Sequence, residues 1–303
     1  MIDMHQDLLS IMYYCELHNR YDYLEEWIKN FNFSNVSGVI ANLYYMSKEE
    51  MRKELGDKEI DVFSMFMKST LLFNKYLPNC NCVFSIEGCD YIEDVGELED
   101  LYNLGLRNIL LVWNEPNKYG SGNRGDYGLT DLGREFLIKA IDLGISIDLS
   151  HMNKKTFYDT IELIKSEKEK GKMVKVIASH SNCFDVYNHE RNLDDSQLKA
   201  LKSVDGILGL VGYSVFVGDE SKEKYLEHVM HAVDIMGIDN VGVSSDDMTF
   251  ALDLFNEDFG PMTFKYDRIK DELTKLLSLK FQQEDVEKIL YKNVYNKLFK
   301  EEY

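Results

Sequence analysis

The chain has 303 residues and carries 34 Lys+Arg against 53 Asp+Glu, which gives a formal net charge of −19 at pH 7. This acidic balance argues against a nucleic-acid-binding protein, because such proteins present a basic surface to the phosphates. Hydrophobic residues make up 45% of the sequence and aromatic residues 12%. These values are typical of a globular protein with a sizeable core, and they exclude disordered and fibrous classes.

The N-terminus lacks the basic start, the apolar centre and the small-residue cleavage site of a secretory signal. No later apolar run approaches the ~18 residues needed to span a membrane, so we expect a cytoplasmic protein without membrane contact. The cysteine count is odd, and no second pair completes a zinc knuckle. We therefore expect reduced packing residues at Cys15, Cys80, Cys82, Cys89 and Cys183.

Short apolar runs alternate along the chain with longer segments of helical periodicity, which is typical of βα units around a parallel sheet. The predicted strands are Ile2–Asp7, Gly38–Tyr44, Cys82–Ile86, Asn108–Trp113, Ile145–Leu149, Val174–Ala178, Gly206–Val211 and Asn240–Val243. The predicted helices are Tyr21–Asn30, Lys48–Tyr76, Val95–Leu104, Thr130–Leu143, Lys154–Gly171, Asp194–Ser203, Lys222–Met236, Tyr266–Leu277 and Glu284–Phe299.

Eight strands, each followed by a helix, predict an α/β fold of the (β/α)8, TIM-like barrel type. A doubly wound open sheet is the alternative, but it needs a phosphate-binding G-x-G-x-x-G after an early strand, and no early strand is followed by one. No linker or composition break is visible. We therefore expect one domain over residues 1–303, with C-terminal helices at about 265–300 packing on the barrel.

Polar side chains follow most of the predicted strands, where a barrel places its working residues. The candidate metal ligands at these positions are His5, Asp7, Glu87, His151 and His180. His5 and Asp7 are two residues apart and would face the same side of a strand. Imidazoles and carboxylates without a thiolate suit Zn²⁺, with Mn²⁺, Co²⁺ or Fe²⁺ as alternatives. If Glu87 bridges, two ions can share a water and lower its pKa.

Each of these residues taken alone also has a structural explanation. A single histidine after a strand is commonly a hydrogen-bonded packing residue, and Glu87 could be an acid favoured at a helix N-terminus. Residues of a type that binds metal ions follow four of the predicted strands. This agreement favours a metal site over four separate structural roles. The remaining histidines fall in predicted loops or helices, and we expect surface, packing or outer-contact roles for His18, His189, His228 and His231.

Further motifs occur in a fixed order along the chain. They are D-M-H-Q-D at 3–7, S-I-E-G at 85–88, V-W-N at 112–114, G-L-T-D-L-G at 128–133, D-L-S-H at 148–151, S-H-S at 179–181, R-N-L-D-D at 191–195 and G-I-D-N-V-G-V-S-S-D at 237–246. This series resembles the membrane dipeptidase (renal dipeptidase, peptidase M19) family, within the metal-dependent amidohydrolase-like barrels. The resemblance covers nearly the whole chain.

The resemblance implies a zinc-dependent dipeptidase that cleaves L-Xaa-L-Xaa or L-Xaa-D-Xaa with a hydroxide bridging two Zn²⁺. It implies that one zinc is held by His5, Asp7 and Glu87, and that Glu87 bridges to a second zinc held by His151 and His180.

The resemblance also assigns the groups that would act on the substrate. Arg191 would bind the terminal carboxylate of the dipeptide. Asp246 would take a proton from the water and deliver it to the leaving amine. Asn114 stands where mammalian members have a histidine, and its amide could donate to the oxyanion and contact the substrate. A homodimer is suggested by family analogy alone.

Three segments depart from the family pattern. Asp247-Met248-Thr249-Phe250 replaces F-D-G, Leu210-Val211-Gly212-Tyr213 replaces an N-F stretch, and Lys292-Asn293 stands where Gly-Asn is common. None of the departures removes a candidate ligand, so they bear on the substrate. Two alternatives stay open: a binuclear metal hydrolase acting on another amide, a lactone or a phosphoester, and a catalytically degenerate barrel that binds a peptide or metal without turnover.

Overall fold

A computed structural model describes residues 1–31, 36–44, 61–255 and 260–300. Its strands are β1 (Ile2–Gln6), β2 (Gly38–Tyr44), β3 (Cys82–Glu87), β4 (Leu106–Leu110), β5 (Pro116–Asn117), β6 (Gly120–Ser121), β7 (Ser146–Asp148), β8 (Val176–Ala178), β9 (Ile207–Val211) and β10 (Val241–Ser244). Within the described ranges, β5 and β6 form a small hairpin and the other eight strands form one parallel sheet in chain order.

The two ends of this sheet meet, so that the barrel is nearly closed. The backbone N–H of Ser245, after β10, donates to Asp3 Oδ1 on β1 at 2.8 Å. The N–H of Asp246 donates to the carbonyl oxygen of His5 at 3.1 Å. The sequence prediction of a (β/α)8 barrel is therefore confirmed.

The helices lie between the strands, as βα units require. They are α1 (Leu8–Leu17), α2 (Tyr21–Phe31), α3 (Val62–Tyr76), α4 (Glu97–Asn103), α5 (Asp131–Asp142), α6 (Lys154–Glu169), α7 (Asp195–Ser203), α8 (Ser214–Val217), α9 (Lys222–Met236), α10 (Thr249–Phe255), α11 (Ile269–Leu277) and α12 (Gln283–Glu287), followed by π-helical turns at Lys288–Lys292 and Tyr295–Phe299. None of the helices in the described ranges combines the length and the apolar character needed to cross a membrane.

Side-chain caps explain where several helices begin. The Thr130 hydroxyl accepts the N–H of Gly133 at 2.9 Å at the start of α5. Asp194 and Gln197 form a reciprocal capping box at the start of α7. Both caps satisfy N–H groups that have no partner inside the helix. These two helices therefore begin within one residue of where the sequence places them.

The sequence prediction and the structure differ at several elements. Helix α1 was not predicted, because it starts directly after β1 and its sequence shows no clear polar face. Strand β4 ends at Leu110, three residues before the predicted end; Leu111 and Val112 are buried in the core, and Trp113 lines the pocket described below. The predicted helix Lys48–Tyr76 is present from Val62 onward, and residues 48–60 lie outside the described residues.

An apolar cluster fills the barrel at the N-terminal ends of the strands. Its buried members are Ile2, Met4, Ile40, Val83, Ile177, Ile207 and Val294. Val294 comes from the C-terminal segment, and its neighbour Asn293 donates two hydrogen bonds of 2.8 Å to the carbonyls of Ile238 and Val241. The C-terminal segment thus packs on the closed end of the barrel, and the polar residues occupy the opposite end.

Candidate metal centre

The five candidate metal ligands come together at the C-terminal end of the barrel, and all five are buried. Glu87 lies between the histidines. Its Oε2 is 3.3 Å from His5 Nε2, and its Oε1 is 2.8 Å from His151 Nε2 and 3.7 Å from His180 Nε2. Asp7 Oδ1 is 3.8 Å from His5 Nε2. The two oxygens of Glu87 therefore face different imidazoles, which is the arrangement a bridging carboxylate needs.

An irregularity in β1 brings His5 into the site. Asp3 pairs with Val39 of β2, and Gln6 pairs with Ala41, so β1 carries one extra residue between the two pairs. A bulge of this kind redirects side chains that strict alternation would send to opposite faces. The sequence predicted that His5 and Asp7 share one side of a strand. The two do approach each other, but Asp7 lies beyond the strand, at the start of α1.

Two site residues occupy backbone conformations that L-residues rarely adopt. His151 has φ +70° and Asp246 has φ +45°. Both follow a barrel strand directly or after a short turn, where the chain changes direction toward the next helix. Residues held in this region cost roughly 1–3 kcal/mol each and are concentrated at active sites. The backbone strain at these positions is consistent with selection for the placement of the side chains.

The buried charges perturb one another strongly. Burial favours the neutral form of Glu87, but the nearby His5 and His151 outweigh it and hold the Glu87 pKa well below its usual value. Burial also opposes the charge on His5, yet Glu87, Asp246 and Asp7 raise its pKa to about 10. The metal-free site therefore contains an ionised Glu87 and a protonated His5 at neutral pH.

The other two histidines behave in the opposite way. Burial and the positive charge of Arg191 lower the pKa of His151 to about 3. Burial and the charge of His5 lower the pKa of His180 well below its usual value. Both rings are neutral at pH 7, and their Nε2 atoms lie only 2.8 Å apart. Neutral imidazole is the form that binds a metal ion.

The remaining carboxylates have raised pKa values. Burial, together with the charges of Glu87 and Asp246, raises the pKa of Asp7 to about 7. Burial and the charge of Glu87 also raise the pKa of Asp246. Ligand atoms of His5, Asp7 and Asp246 lie within 4.8 Å of one another.

A second donor group lies beside the first. The ligand atoms of His5, Glu87 and His180 also lie within 4.8 Å of one another. Nitrogen and oxygen donors at this density, without thiolates, fit a borderline divalent cation. The residues present therefore fit the metal that the sequence motifs imply.

Asn42 belongs to the site and was missed by the sequence analysis. Its Nδ2 lies 2.9 Å from Asp7 Oδ1 and 2.6 Å from Glu87 Oε2, so one amide donates to two carboxylates. It is buried inside β2. The available signal was a single polar residue within the apolar run G-V-I-A-N-L-Y.

Asn114 contacts the metal centre from the side. Its Oδ1 lies 2.8 Å from His151 Nδ1, which orients the imidazole so that Nε2 faces Glu87. Because the oxygen of the amide is used in this way, the NH₂ group is the end that remains able to donate. The sequence predicted only the substrate-facing role of Asn114.

Arg191 is buried at the edge of the pocket that opens above the candidate ligands. Its Nη2 has no hydrogen-bond partner among the described residues, and its guanidinium lies 5.4 Å from the ring centre of Phe216. Burial lowers its pKa to about 10, so the group stays charged at neutral pH. The backbone N–H of Arg191 donates to His189 Nδ1 at 3.2 Å. A buried guanidinium with an unused N–H group is suited to an anion.

A pocket of about 650 Å³ opens above the metal centre. Its walls are largely aromatic and include Tyr44, Trp113, Tyr213 and Phe216. The segment after Asp246, where the chain departs from the family pattern, contributes Met248, and helix α10 contributes Phe250 and Leu254. The Gln6 side chain holds this segment by accepting the N–H of Asp247 at 3.0 Å.

The other histidines lie outside the metal centre. His228 is buried and accepts the N–H of Cys183, His231 pairs with Asp195 at 2.7 Å, and His18 packs on Tyr14. His189 lines the pocket above the candidate ligands, closer to the site than expected.

Comparison with known proteins identifies the family. A family model described as membrane dipeptidase (peptidase family M19) matches residues 68–302. The chain belongs to the membrane dipeptidase family. The match includes Glu87, His151, His180, Arg191 and Asp246, while His5 and Asp7 precede it.

Relatives of this membrane dipeptidase family member are distant in sequence. An uncharacterized protein of Klebsiella pneumoniae is 31% identical over 180 residues, which are 54% of this chain and 64% of that protein. The chain thus spans less than two thirds of the length of this curated relative.

Two solved structures share the fold over nearly their whole length. A metallopeptidase from Rhodobacter sphaeroides, liganded with a phosphinate mimic of L-Ala-D-Ala, has a TM-score of 0.75 at 21% identity, with 98% of each chain covered. The metallopeptidase dipeptidase AC has a TM-score of 0.77 at 20% identity, with 98% of this chain and 97% of that chain covered.

Proposed function

We propose that this protein is a metal-dependent dipeptidase that cleaves L-Xaa-L-Xaa or L-Xaa-D-Xaa. The observation that carries the proposal is the presence of a buried, charged Arg191 in the same pocket as the cluster of nitrogen and oxygen donors around Glu87. A dipeptide offers what both groups require, since it carries a carboxylate close to the bond to be cleaved. Family membership and the bound dipeptide mimic in the Rhodobacter sphaeroides metallopeptidase support the same activity.

The donors would hold two Zn²⁺, with Mn²⁺, Co²⁺ or Fe²⁺ as alternatives. His5, Asp7 and Glu87 would bind one ion, and Glu87 would bridge to a second ion held by His151 and His180. When bound, such a pair of ions lowers the pKa of a water molecule and polarises the peptide carbonyl. The negative charges of the buried carboxylates favour cations at this place.

Arg191 would bind and orient the substrate. Its unused N–H group can donate to the terminal carboxylate of the dipeptide, and no described residue competes for it. A fixed carboxylate places the peptide bond at a constant distance from Glu87 and the histidines, which lowers the entropic cost of reaction. A substrate without a free C-terminal carboxylate would lose this contact.

Asp246 would carry the proton. Its carboxylate approaches His5 and Asp7, and its raised pKa makes it a stronger base than an exposed aspartate. It would take a proton from the attacking water and deliver it to the nitrogen of the leaving amine. The NH₂ group of Asn114 would donate to the oxyanion that forms on the peptide carbonyl.

The test is hydrolysis of a mixed L,L and L,D dipeptide library by zinc-reconstituted protein, followed by mass spectrometry. The controls are chelated protein and the same dipeptides with an amidated C-terminus. We expect chelator-sensitive cleavage of free dipeptides and much slower cleavage of the amides. Absence of cleavage by protein with bound metal would instead favour another amide, a lactone, a phosphoester or a barrel without catalysis.

A further inference from the structure

The hydroxyl of Ser179 lies between two imidazoles that come from different strands. Its Oγ is 3.3 Å from His5 Nδ1 and 2.9 Å from His180 Nδ1. The two rings are close, with centroids 3.9 Å apart, and Ser179 is fully buried. One hydroxyl therefore contacts the far nitrogen of two candidate metal ligands.

The hydroxyl of Ser179 has one proton to donate and two lone pairs that can accept. Asp148 lies next to it. One oxygen of Asp148 accepts the N–H groups of Ser150 and Ser179 at 3.0 Å each, and the other oxygen is buried without a partner in the described part of the chain. Asp148 thus fixes the backbone position of Ser179 but does not accept its hydroxyl. A histidine that binds a metal ion through Nε2 carries its remaining proton on Nδ1.

When Nε2 of His5 and His180 holds a cation, each ring has only its Nδ1–H to donate, and the two lone pairs of the Ser179 hydroxyl can accept both. We propose that Ser179 is a positioning residue that accepts Nδ1–H from both His5 and His180 and so keeps the Nε2 atoms of both rings directed at the metal centre. The Nε2 atoms face Glu87 at 3.3 Å and His151 at 2.8 Å, where a cation would be held.

This inference deepens the proposed function, since it concerns the same metal centre. A metal-ligating histidine commonly donates its other ring nitrogen to a carboxylate, a carbonyl or water, and loss of that contact weakens metal binding. Here one neutral hydroxyl serves two histidines. The inference therefore predicts that a single substitution disturbs two candidate ligands.

The first test uses the wild-type protein and needs no variant. Histidine ring ¹⁵N chemical shifts of the zinc-loaded protein, measured by long-range ¹H–¹⁵N correlation, report which nitrogen carries the proton and which binds zinc. We expect zinc at Nε2 and a proton on Nδ1 in both His5 and His180. A proton on Nε2 of either ring, or zinc bound at Nδ1, would overturn the proposal.

The second test compares Ser179→Ala, Ser179→Thr and Ser150→Ala. Ser150 is the matched control, because its hydroxyl is also buried and accepts the backbone N–H of His180 at 3.1 Å, but it does not bond the ring. We expect Ser179→Ala to weaken zinc binding by about 10- to 100-fold, measured by chelator competition, and to shift the Nδ1 resonances of both His5 and His180 in the zinc-loaded protein. Ser179→Thr keeps the hydroxyl and should restore both properties.

Equal zinc affinity and unchanged ¹⁵N shifts in Ser179→Ala would contradict the proposal, as would equal losses in Ser179→Ala and Ser150→Ala. Neither readout requires catalysis. A protein that binds zinc but cleaves no dipeptide would refute the proposed function and leave the inference about Ser179 open to confirmation by the same spectra.

Discussion

The amide nitrogen of Asn42 lies 2.6 Å from Glu87 Oε2 and donates to that carboxylate from within β2. The same nitrogen is 2.9 Å from Asp7 Oδ1. Two buried carboxylates are thus held on one donor, which offsets part of their mutual repulsion and fixes the direction of their other oxygens. Asn42 therefore sets the geometry of the carboxylate side of the metal centre.

Replacing Asn42 with Ala should weaken metal binding by about 10- to 100-fold, because outer contacts of metal ligands typically have this effect. The matched control is Asn108→Ala. Asn108 is also a buried strand asparagine, but its amide donates to Ser85 at 2.9 Å. Chelator competition measures the metal affinity of both variants and separates loss of the Asn42 contacts from a general loss of packing. Equal metal affinities of the two variants would contradict the role of Asn42 at the metal centre.

Replacing Arg191 with Met should lower kcat/KM for free dipeptides by about 10- to 100-fold, since a hydrogen bond to a charged group contributes roughly 1.5–3 kcal/mol. The same variant should cleave C-terminally amidated dipeptides no more slowly than the wild type. Arg107→Met is the comparison, because Arg107 is exposed on β4, outside the pocket, and donates to the carbonyl of Tyr102 at 2.8 Å. An equal loss for acid and amide substrates would argue against carboxylate binding by Arg191.

Replacing Asp246 with Asn keeps the size of the side chain, and asparagine tolerates the positive φ of this position. The amide cannot accept a proton from water. We therefore expect a fall in kcat of about 10²- to 10⁴-fold with the metal content largely retained. Metal analysis of the purified variant beside single-turnover kinetics tests this, and wild-type turnover would exclude the proton-transfer role.

Metal binding should release protons. In the metal-free protein the pKa of His5 is about 10, so its Nε2 carries a proton at pH 7 that a metal ion must displace. Apparent zinc affinity should then rise with pH. Calorimetric titrations in two buffers of different ionisation enthalpy give the number of protons released, and a value of zero would show that His5 is neutral before binding.

The same pKa has a consequence for stability without metal. A histidine whose folded pKa is raised from 6.5 to about 10 adds stability that is fully present below pH 6.5 and is lost as the pH rises toward 10. The metal-free protein should therefore lose stability from His5 over this interval. A His5→Asn variant, unfolded by denaturant at several pH values, should lack that part of the pH dependence, and an unchanged profile would argue against the raised pKa.

The clustering of the candidate ligands could be predicted in outline because barrel geometry collects the C-terminal ends of all strands at one place. His151 and His180 each follow an apolar run, and the positions of such runs can be read from the sequence. Their approach to Glu87 follows from the fold. This approach could be expected without knowledge of the side-chain packing.

Other features depend on distances that a linear pattern does not contain. Asn42 lies inside an apolar run that predicts a buried strand, and nothing in that run indicates its contact with Asp7. Ser179 is adjacent to His180 in the chain, but its contact with His5 arises only when β1 and β8 curve around the barrel axis. Helix α1 was missed because its apolar residues surround the axis rather than forming a stripe.

The most direct test of the account is a zinc titration of metal-free protein in which bound metal and hydrolysis of one dipeptide are followed together. We predict that the metal-free protein is inactive, that two zinc ions bind per chain, and that full activity requires both. Full dipeptide hydrolysis by chelated protein, or no hydrolysis with both sites filled, would contradict the central claim that the donors around Glu87 form a dipeptidase metal centre.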